Sequence, residues 1–309
     1  MFNSVDIPVL LLLFNRPQYA SEVLSVLETV KPSRIYVAVD GPRAGHPTDA
    51  ENVEKCLALL NRIDWPCRVG ILKRDQNLGC GRAVSEGIAW FFEYEPMGII
   101  LEDDCVPTPA FFSFCAEMLL RYQDDERVMH ISGTRWNEEF PIESSYFFTA
   151  IGHIWGWATW RRAWQHYDYQ MSTWPLEKNT DLITKVLPAH RHVHYWESNF
   201  DTVYHQTQKH TWDYQWQYAL FRNGGLSITP RKNLIQNIGA EGVHDSRSDE
   251  FRHRRKAHAD FQIKDAHREP VRHPNFDAYN MDHYFLRKDP LWIRLKRRVQ
   301  KLSEILTVA

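Results

Sequence analysis

Three acids stand together at Glu102-Asp103-Asp104, at the end of the apolar run "GIIL" and shortly before Thr108-Pro109. Adjacent like charges repel, and the end of a buried strand is a costly place to keep them. Helix capping does not account for them. Thr108 as N-cap and Pro109 at the first helical position already start the next helix. A divalent cation answers the repulsion. Hard ions such as Mn2+ or Mg2+ favour carboxylate and phosphate oxygens, and one or two carboxylates completed by substrate phosphates and water commonly hold them. A further acid, Asp213, lies in "TWDYQW". It is either a carboxylate buried and placed by Trp212 and Trp216 to take a proton, or the surface or cap residue of a helix whose core stripe is Trp212, Trp216 and Phe221.

The elements that must position these acids read as β-α repeats. "IPVLLLLF" is a buried strand, followed by an amphipathic helix from about Gln18 to Val30. "RIYVAVD" is a second strand, and a helix with Val53, Leu57 and Leu60 at helical spacing follows it. "RVGILKRD" and "MGIILEDD" are the third and fourth strands, with a loop and helix, "QNLGCGRAVSEGIAWFFEYE", between them. Short apolar strands alternating with helices predict an α/β fold: a mostly parallel, Rossmann-like sheet with helices on both faces. Ligands of such sheets bind outside the carboxyl ends of the strands. Those ends carry Asn15-Arg16, Asp40, Arg74-Asp75 and the acidic triplet, so four scattered clusters are expected at one edge. "NLGCG" lacks the third glycine of a dinucleotide fingerprint and the Gly-Lys-Ser/Thr of a P-loop. Gly79 and Gly81 are therefore read as a tight turn before a closely packed helix.

A net charge of −2 gives no global electrostatic case for nucleic acid. Five cysteines with no CxxC pair suit reduced thiols. "PVLLLLF" is too short to span a bilayer and lacks a basic flank and a cleavage site, so a cytoplasmic chain is expected. In "HIWGWATWRRAW", Trp157, Trp160 and Trp164 fit one helical face, whereas Trp155 and Trp157 alternate as in an extended turn. They are either core or sugar-stacking contacts. His190, His192 and His194 share a face only if their segment is extended; a structural or surface role competes there with a zinc site. Residues 246–273 are polar and basic, a lid or an arm over an acceptor. The last segment reads as a helix with Asp289 as N-cap, Pro290 next, and Trp292, Leu295, Val299, Leu302 and Leu306 on one face. Its arginines and lysine suit an anionic membrane surface, the body of the protein or another subunit.

With these pieces in order, residues 7–245 resemble the nucleotide-sugar glycosyltransferases of the GT-A fold, and within them N-acetylglucosaminyltransferase I and bacterial glycosyltransferase-like relatives. The resemblance rests on "VLLLLFNRP", "VAVDGPR", "GIILEDDCVPTPAFFSF", "ISGTRWNE", "IWGWATWRRAW" and "TWDYQWQYALFRNGGLSITPRKNLIQNIGAEGVH". It implies a nucleotide-sugar-binding half over 1–135, an acceptor and catalytic-base half over 136–245, and a basic C-terminal helical extension over 246–309. It implies that Arg16 and Asp40 meet a uracil base, Asp103 the ribose and Glu102 the donor sugar. Asp104 becomes the ligand of Mn2+ (or Mg2+), Asp213 the general base, and His244 a contact to phosphate or metal. Trp155 and Trp157 become acceptor contacts. The implied activity is inverting, metal-dependent transfer of N-acetylglucosamine or another hexose from a UDP-sugar. The acceptor is a glycan or lipid-linked saccharide of a bacterial surface polymer, reached at the inner face of the membrane. On this reading the positive partner of the triplet arrives with the donor. A sugar nucleotidyltransferase, or a non-catalytic nucleotide- or glycan-binding protein, is the rival reading. The former needs a glycine-rich basic loop after the first strand that is missing here.

Overall fold

The first, second and fourth apolar runs form strands whose side chains alternate between two cores, whereas the third is an edge strand with Val69 and Ile71 exposed. In the computed structural model, which describes residues 7–207, 209–239 and 256–287, β1 (Val9–Leu13) sends Val9, Leu11 and Leu13 to one face and Leu10 and Leu12 to the other. After it come α1 (Pro17–Val30), β2 (Arg34–Val39), α2 (Asp49–Ala58), β3 (Arg68–Lys73), α3 (Cys80–Tyr94), β4 (Met97–Glu102), β5 (Cys105–Pro107) and α4 (Pro109–Arg121). Helices α1, α2 and α4 cover the first face. Helix α3 covers the second. Thr108 and Pro109 start α4 as expected, although the threonine hydroxyl makes no capping bond.

The second half adds β6 (Val128–Ser132), β7 (Tyr146–Thr149), β8 (Trp157–Trp160), short helices α5 (Arg161–Trp164) and α6 (Trp174–Glu177), then α7 (His190–His205), α8 (Asp213–Arg222), β9 (Leu226–Pro230), β10 (Ile235–Asn237) and α9 (Pro274–Asn280). A π-helical turn, Met281–Phe285, continues from α9. The eight-stranded sheet runs β3-β2-β1-β4-β8-β6-β9-β7. From β3 to β4 all neighbours are parallel, as expected. Beyond β4 the sheet is mixed, because β8 inserts antiparallel to both β4 and β6. A separate ribbon pairs β5 with β10.

The tryptophans of "WATW" do not share a helical face. They lie in a strand, so Trp157 enters the core with α3 and Trp160 the opposite one. Helix α8 is buried on two sides. Trp216, Ala219 and Leu220 pack under the sheet, while Tyr218 and Phe221 meet a third core built from α7, Trp174 and Met281. Of the expected lid or arm, residues 246–255 lie outside the described residues. Residues 256–273 reach the sheet at its edge strand β7, where Arg272 forms a β-bridge with Phe148. They run along α4 and β7, where the Tyr122 hydroxyl donates to the Arg268 carbonyl (2.8 Å) and His273 N–H donates to the Phe148 carbonyl (2.8 Å). His244 and the terminal helix expected from Asp289 onward lie outside the described residues. No described helix is long and apolar enough to cross a membrane.

Candidate functional site at the carboxyl edge of the sheet

The chain moves outward from β1 to β2 and β3, then returns to the far side of β1 to lay down β4. Connections that leave adjacent strands in opposite directions open a crevice between their carboxyl ends. Arg16 follows β1 and the acidic triplet follows β4, so both flank that crevice. A cavity of about 1110 Å3 opens there, lined by Arg16, Asp40, Arg74, Glu102, Asp103, Asp104, Trp155 and Asp213 among others. The expected meeting of strand ends therefore occurs.

The triplet has a positive partner within the chain. The Arg16 guanidinium donates to both carboxylate oxygens of Asp103, with Nε 3.2 Å from Oδ2, and its Nη1 lies 2.9 Å from Asp104 Oδ2. This corrects the expectation that the counter-charge comes only with the donor. Asp103 is only 2% exposed, and burial raises its carboxyl above the usual range against the pull of Arg16. Burial also raises Glu102, and the charges of Asp104 and Asp103 push it further. One guanidinium thus serves three carboxylates.

Asp104 sits under the β5-β10 ribbon. Its carbonyl accepts from Ile238 N–H (2.9 Å), and the Asn237 amide donates to Oδ1 (3.3 Å). A Cβ on Gly239 would fall 2.3 Å from Asp104 Oδ2, so only glycine leaves this carboxylate its place. No group of three or more His, Cys, Asp or Glu residues converges on a metal position among the described residues. Among the described residues, Asp104 is a carboxylate that could take one position of a hard cation otherwise completed by phosphate oxygens and water.

Asp40 is committed to the loop between β3 and α3. Oδ1 accepts from Gly41 and Leu78 N–H (2.9 Å each), and Oδ2 from the Asn77 amide (2.8 Å) and Gly79 N–H (3.2 Å). Its side chain fixes the shape of the crevice at the end of β2. Gly79 turns there with φ 78°. Gly81 lets the start of α3 approach the chain ahead of α8, since a Cβ would lie 2.5 Å from the Lys209 carbonyl oxygen and 2.7 Å from that of Thr211. This close contact, rather than one with the sheet, is the packing that Gly81 serves.

Asp213 occupies the first turn of α8, directly after Trp212, where the helix dipole favours a negative group. It lines the same cavity, and its charge reaches Glu102. The helix beneath it is held firmly. Trp212 stacks on Trp157 with ring centroids 5.6 Å apart, and the Trp216 indole N–H donates to His130 Nδ1 (3.1 Å). The other ring nitrogen of His130 donates to the His153 carbonyl (3.1 Å), so the imidazole is neutral, and burial pushes its pKa down to about 3. Trp212 and Trp216 thus share one core, Phe221 turns to another rather than continuing their stripe, and Asp213 lines the cavity.

Trp155 lines the cavity, whereas Trp157 is fully buried beneath it. The three histidines of α7 do not converge. Helical spacing stacks His190 on His194 at the surface, and His192 turns inward to Asp282, with Nε2 2.8 Å from Oδ1. Several site residues carry no local signal in the sequence. Arg43 grips the buried Asp49, which also accepts from the Asn15 amide (2.7 Å), and this group closes the end of the cavity beside β1 and β2. Asn237 lies inside a quoted motif without a mark of its own. Trp136, Tyr195, Tyr214, Tyr284 and Phe285 arrive from four separate segments.

No family model matches the chain, and no curated protein matches its sequence. Among solved structures it is similar to the mannosyltransferase PcManGT from Pyrobaculum calidifontis in complex with GDP-Man and Mn2+, at 13% identity and a TM-score of 0.35. That match spans 49% of this chain and 44% of that one, less than half of the mannosyltransferase. It is also similar to a UDP-glucose pyrophosphorylase complexed with UDP-glucose, at 9% identity and a TM-score of 0.38 over 73% of this chain and 90% of that one. A third, HddC from Yersinia pseudotuberculosis, shares 11% identity and a TM-score of 0.30 over 50% and 77% of the respective chains. Likenesses of this depth assign neither family nor activity.

Proposed function

We propose that the chain is a metal-dependent, inverting glycosyltransferase that takes a hexose from a UDP-sugar. The observation that carries this reading is the placement of Asp104 and Asp213 in one cavity, at the switch point of a parallel sheet, with Arg16 between β1 and the acids. The resemblance read from the sequence supplies the identity of the nucleotide.

The uracil end lies toward Arg16 and the loop that Asp40 holds, with Arg43 and Asn15 closing it. Asp103 faces the ribose and Glu102 the donor sugar. Asp104 would hold the Mn2+ or Mg2+ ion, and the resemblance assigns His244, outside the described residues, to phosphate or metal. When bound, the cation supplies stabilisation of the charge that gathers on the departing diphosphate. The acceptor hydroxyl is a poor nucleophile until its proton is removed. Asp213 takes that proton as the hydroxyl oxygen attacks the anomeric carbon from the face opposite the leaving group, which inverts the centre. The buried seat of α8 holds the carboxylate in place for that transfer.

Against a nucleotidyltransferase, β1 connects to α1 through Phe14-Asn15-Arg16 alone, which leaves no room for a glycine-rich phosphate loop. The test is calorimetry with a UDP-sugar panel with and without Mn2+, joined to slow donor hydrolysis. Metal-dependent binding of one UDP-sugar is expected. Absence of binding across the panel in the presence of Mn2+ overturns the reading.

A further inference from the structure

Asp104 does not present an open carboxylate. Its Oδ1 accepts from the Asn237 amide (3.3 Å) and from the Cys105 thiol (3.4 Å). Its Oδ2 lies 2.9 Å from Arg16 Nη1, and Gly239 packs so close to the same oxygen that a Cβ there would fall 2.3 Å away. The side chain is 14% exposed. A hard cation needs a carboxylate oxygen in direct contact, at about 2 Å. Of the groups around Asp104, the long Arg16 side chain is the one that can withdraw without moving backbone. A cation that reaches Oδ2 must therefore displace Arg16 Nη1.

The guanidinium is placed so that this one contact can break while the rest persist. Arg16 is the residue ahead of α1, and its carbonyl accepts from Tyr19 and Ala20 N–H (3.1 Å each), so its backbone is fixed. Its guanidinium lies over the Tyr19 ring, 5.4 Å from the centroid. Nε and Nη2 donate to the two oxygens of Asp103, which is the stronger, forked arrangement. Asp104 has Nη1 alone. The single bond yields before the paired ones. Once it yields, Asp103 still holds the guanidinium beside Asp104, and an arriving cation meets a positive charge at close range. Something anionic must offset the two cations together.

We infer that Arg16 competes with the divalent cation for Asp104, so that the cation binds tightly only together with a nucleoside diphosphate whose charge offsets the guanidinium. The inference rests on the metal-dependent reading for the identity of the two ligands, but the competition itself stands on the Arg16–Asp104 contact. A unit charge beside a carboxylate changes its hold on a proton by about ten- to a thousand-fold. A divalent cation on the same oxygen feels that charge at least as strongly, so Arg16 weakens the binding of Mn2+ alone by at least about ten-fold. The phosphates recover that loss. Cation and nucleotide then raise each other's affinity by one and the same factor. Arg16 acts through Asp104 and is a positioning residue: it keeps the cation from settling before the donor.

The test is Mn2+ binding without nucleotide, read by electron paramagnetic resonance on the full chain, with circular dichroism as the check on folding. Arg16→Gln is expected to bind Mn2+ alone about ten-fold more tightly than the parent. Arg16→Lys is expected to fall between them, since lysine keeps the charge and loses the fork. The gain should vanish in Arg16→Gln/Asp104→Asn, which places it at Asp104. Calorimetry of UDP and of ADP, each with and without Mn2+, then gives the coupling factor, which Arg16→Gln is expected to cut by about ten-fold. A purely structural role for Arg16 would lower Mn2+ affinity in the variant, not raise it. The inference is overturned if folded Arg16→Gln binds Mn2+ alone no better than the parent, or if neither nucleotide couples to Mn2+ in the parent. Should Arg16→Gln not fold, Arg16→Lys is judged by the same criterion. UDP binding without such coupling leaves the uridine nucleotide standing and removes the inference. Coupling to ADP but not to UDP does the reverse. Absence of Mn2+ binding in every variant, with and without nucleotide, removes the inference and the metal-dependent reading together.

Discussion

Replacing Arg16 by Gln removes the one guanidinium shared by Asp103 and Asp104 while keeping much of the side-chain volume. The Arg16 side chain is 27% exposed and that of Asp103 is 3% exposed, so the pair lies nearer the buried limit than the surface one. Breaking a buried pair by deleting one partner costs about 3–5 kcal/mol, because the other charge is left without compensation. Partial exposure of Arg16 places the expected loss near the lower end, about 3 kcal/mol. Unfolding entropy of about 2.1 cal/mol/K per residue over 309 residues converts this to a fall in Tm of about 5 °C. The assay is thermal unfolding, without added metal and at low ionic strength, of the parent, Arg16→Gln, Asp103→Asn and the double variant. A neutral amide in place of the Asp103 carboxylate no longer needs a cation, so the double variant is expected to be more stable than the sum of the single losses by about 2 kcal/mol. Strict additivity, within about 0.5 kcal/mol, would show that Arg16 does not act as counter-ion to Asp103.

Other outcomes follow from the same geometry. Gly239→Ala forces Asp104 or the β10 backbone aside, and calorimetry is expected to show Mn2+-dependent UDP-sugar binding at least ten-fold weaker, about 1.4 kcal/mol, with the fold intact by circular dichroism. Asp213→Asn keeps donor binding and slows transfer by a factor on the order of 100 to 10,000, measured as product formation at saturating donor. His130 gives a signed pH effect. The folded imidazole stays neutral down to about 3, whereas an unfolded histidine takes a proton near pH 6.5, so the unfolded chain binds more protons between these values. Stability is full above that window and falls on acidification by up to about 1.4 kcal/mol per pH unit. Denaturant titrations should show that slope reduced in His130→Asn.

The carboxyl edge of the sheet is legible in the sequence because parallel strands impose a rule: apolar runs of fixed length end where polar residues begin, and topology gathers those ends. Arg16, Asp40 and the triplet needed only that rule to be placed together. What each one touches was not legible. The saturation of Asp40 by four donors depends on where the loop after β3 folds back. "WATW" is too short for its period to separate strand from helix, and its pairing with β4 and β6 joins segments distant in sequence. The aromatic residues that line the cavity were hidden for the same reason. Trp136, Trp155, Tyr195 and Tyr284 come together only once α7, α9 and the sheet are assembled.

The close approach at Gly81 has a consequence for how the two halves of the cavity can vary. The backbone at the start of α3 is tied by Gly79 to Asp40 on one side and presses on the carbonyls of Lys209 and Thr211 on the other. Thr211 precedes Asp213 by two residues. The loop that Asp40 holds and the start of α8 that carries Asp213 are thus joined by a single backbone seam. A swap that rebuilds one side of the cavity must therefore carry residues 77–81 and 209–213 as a unit, or it will displace the Asp213 carboxylate on the other side.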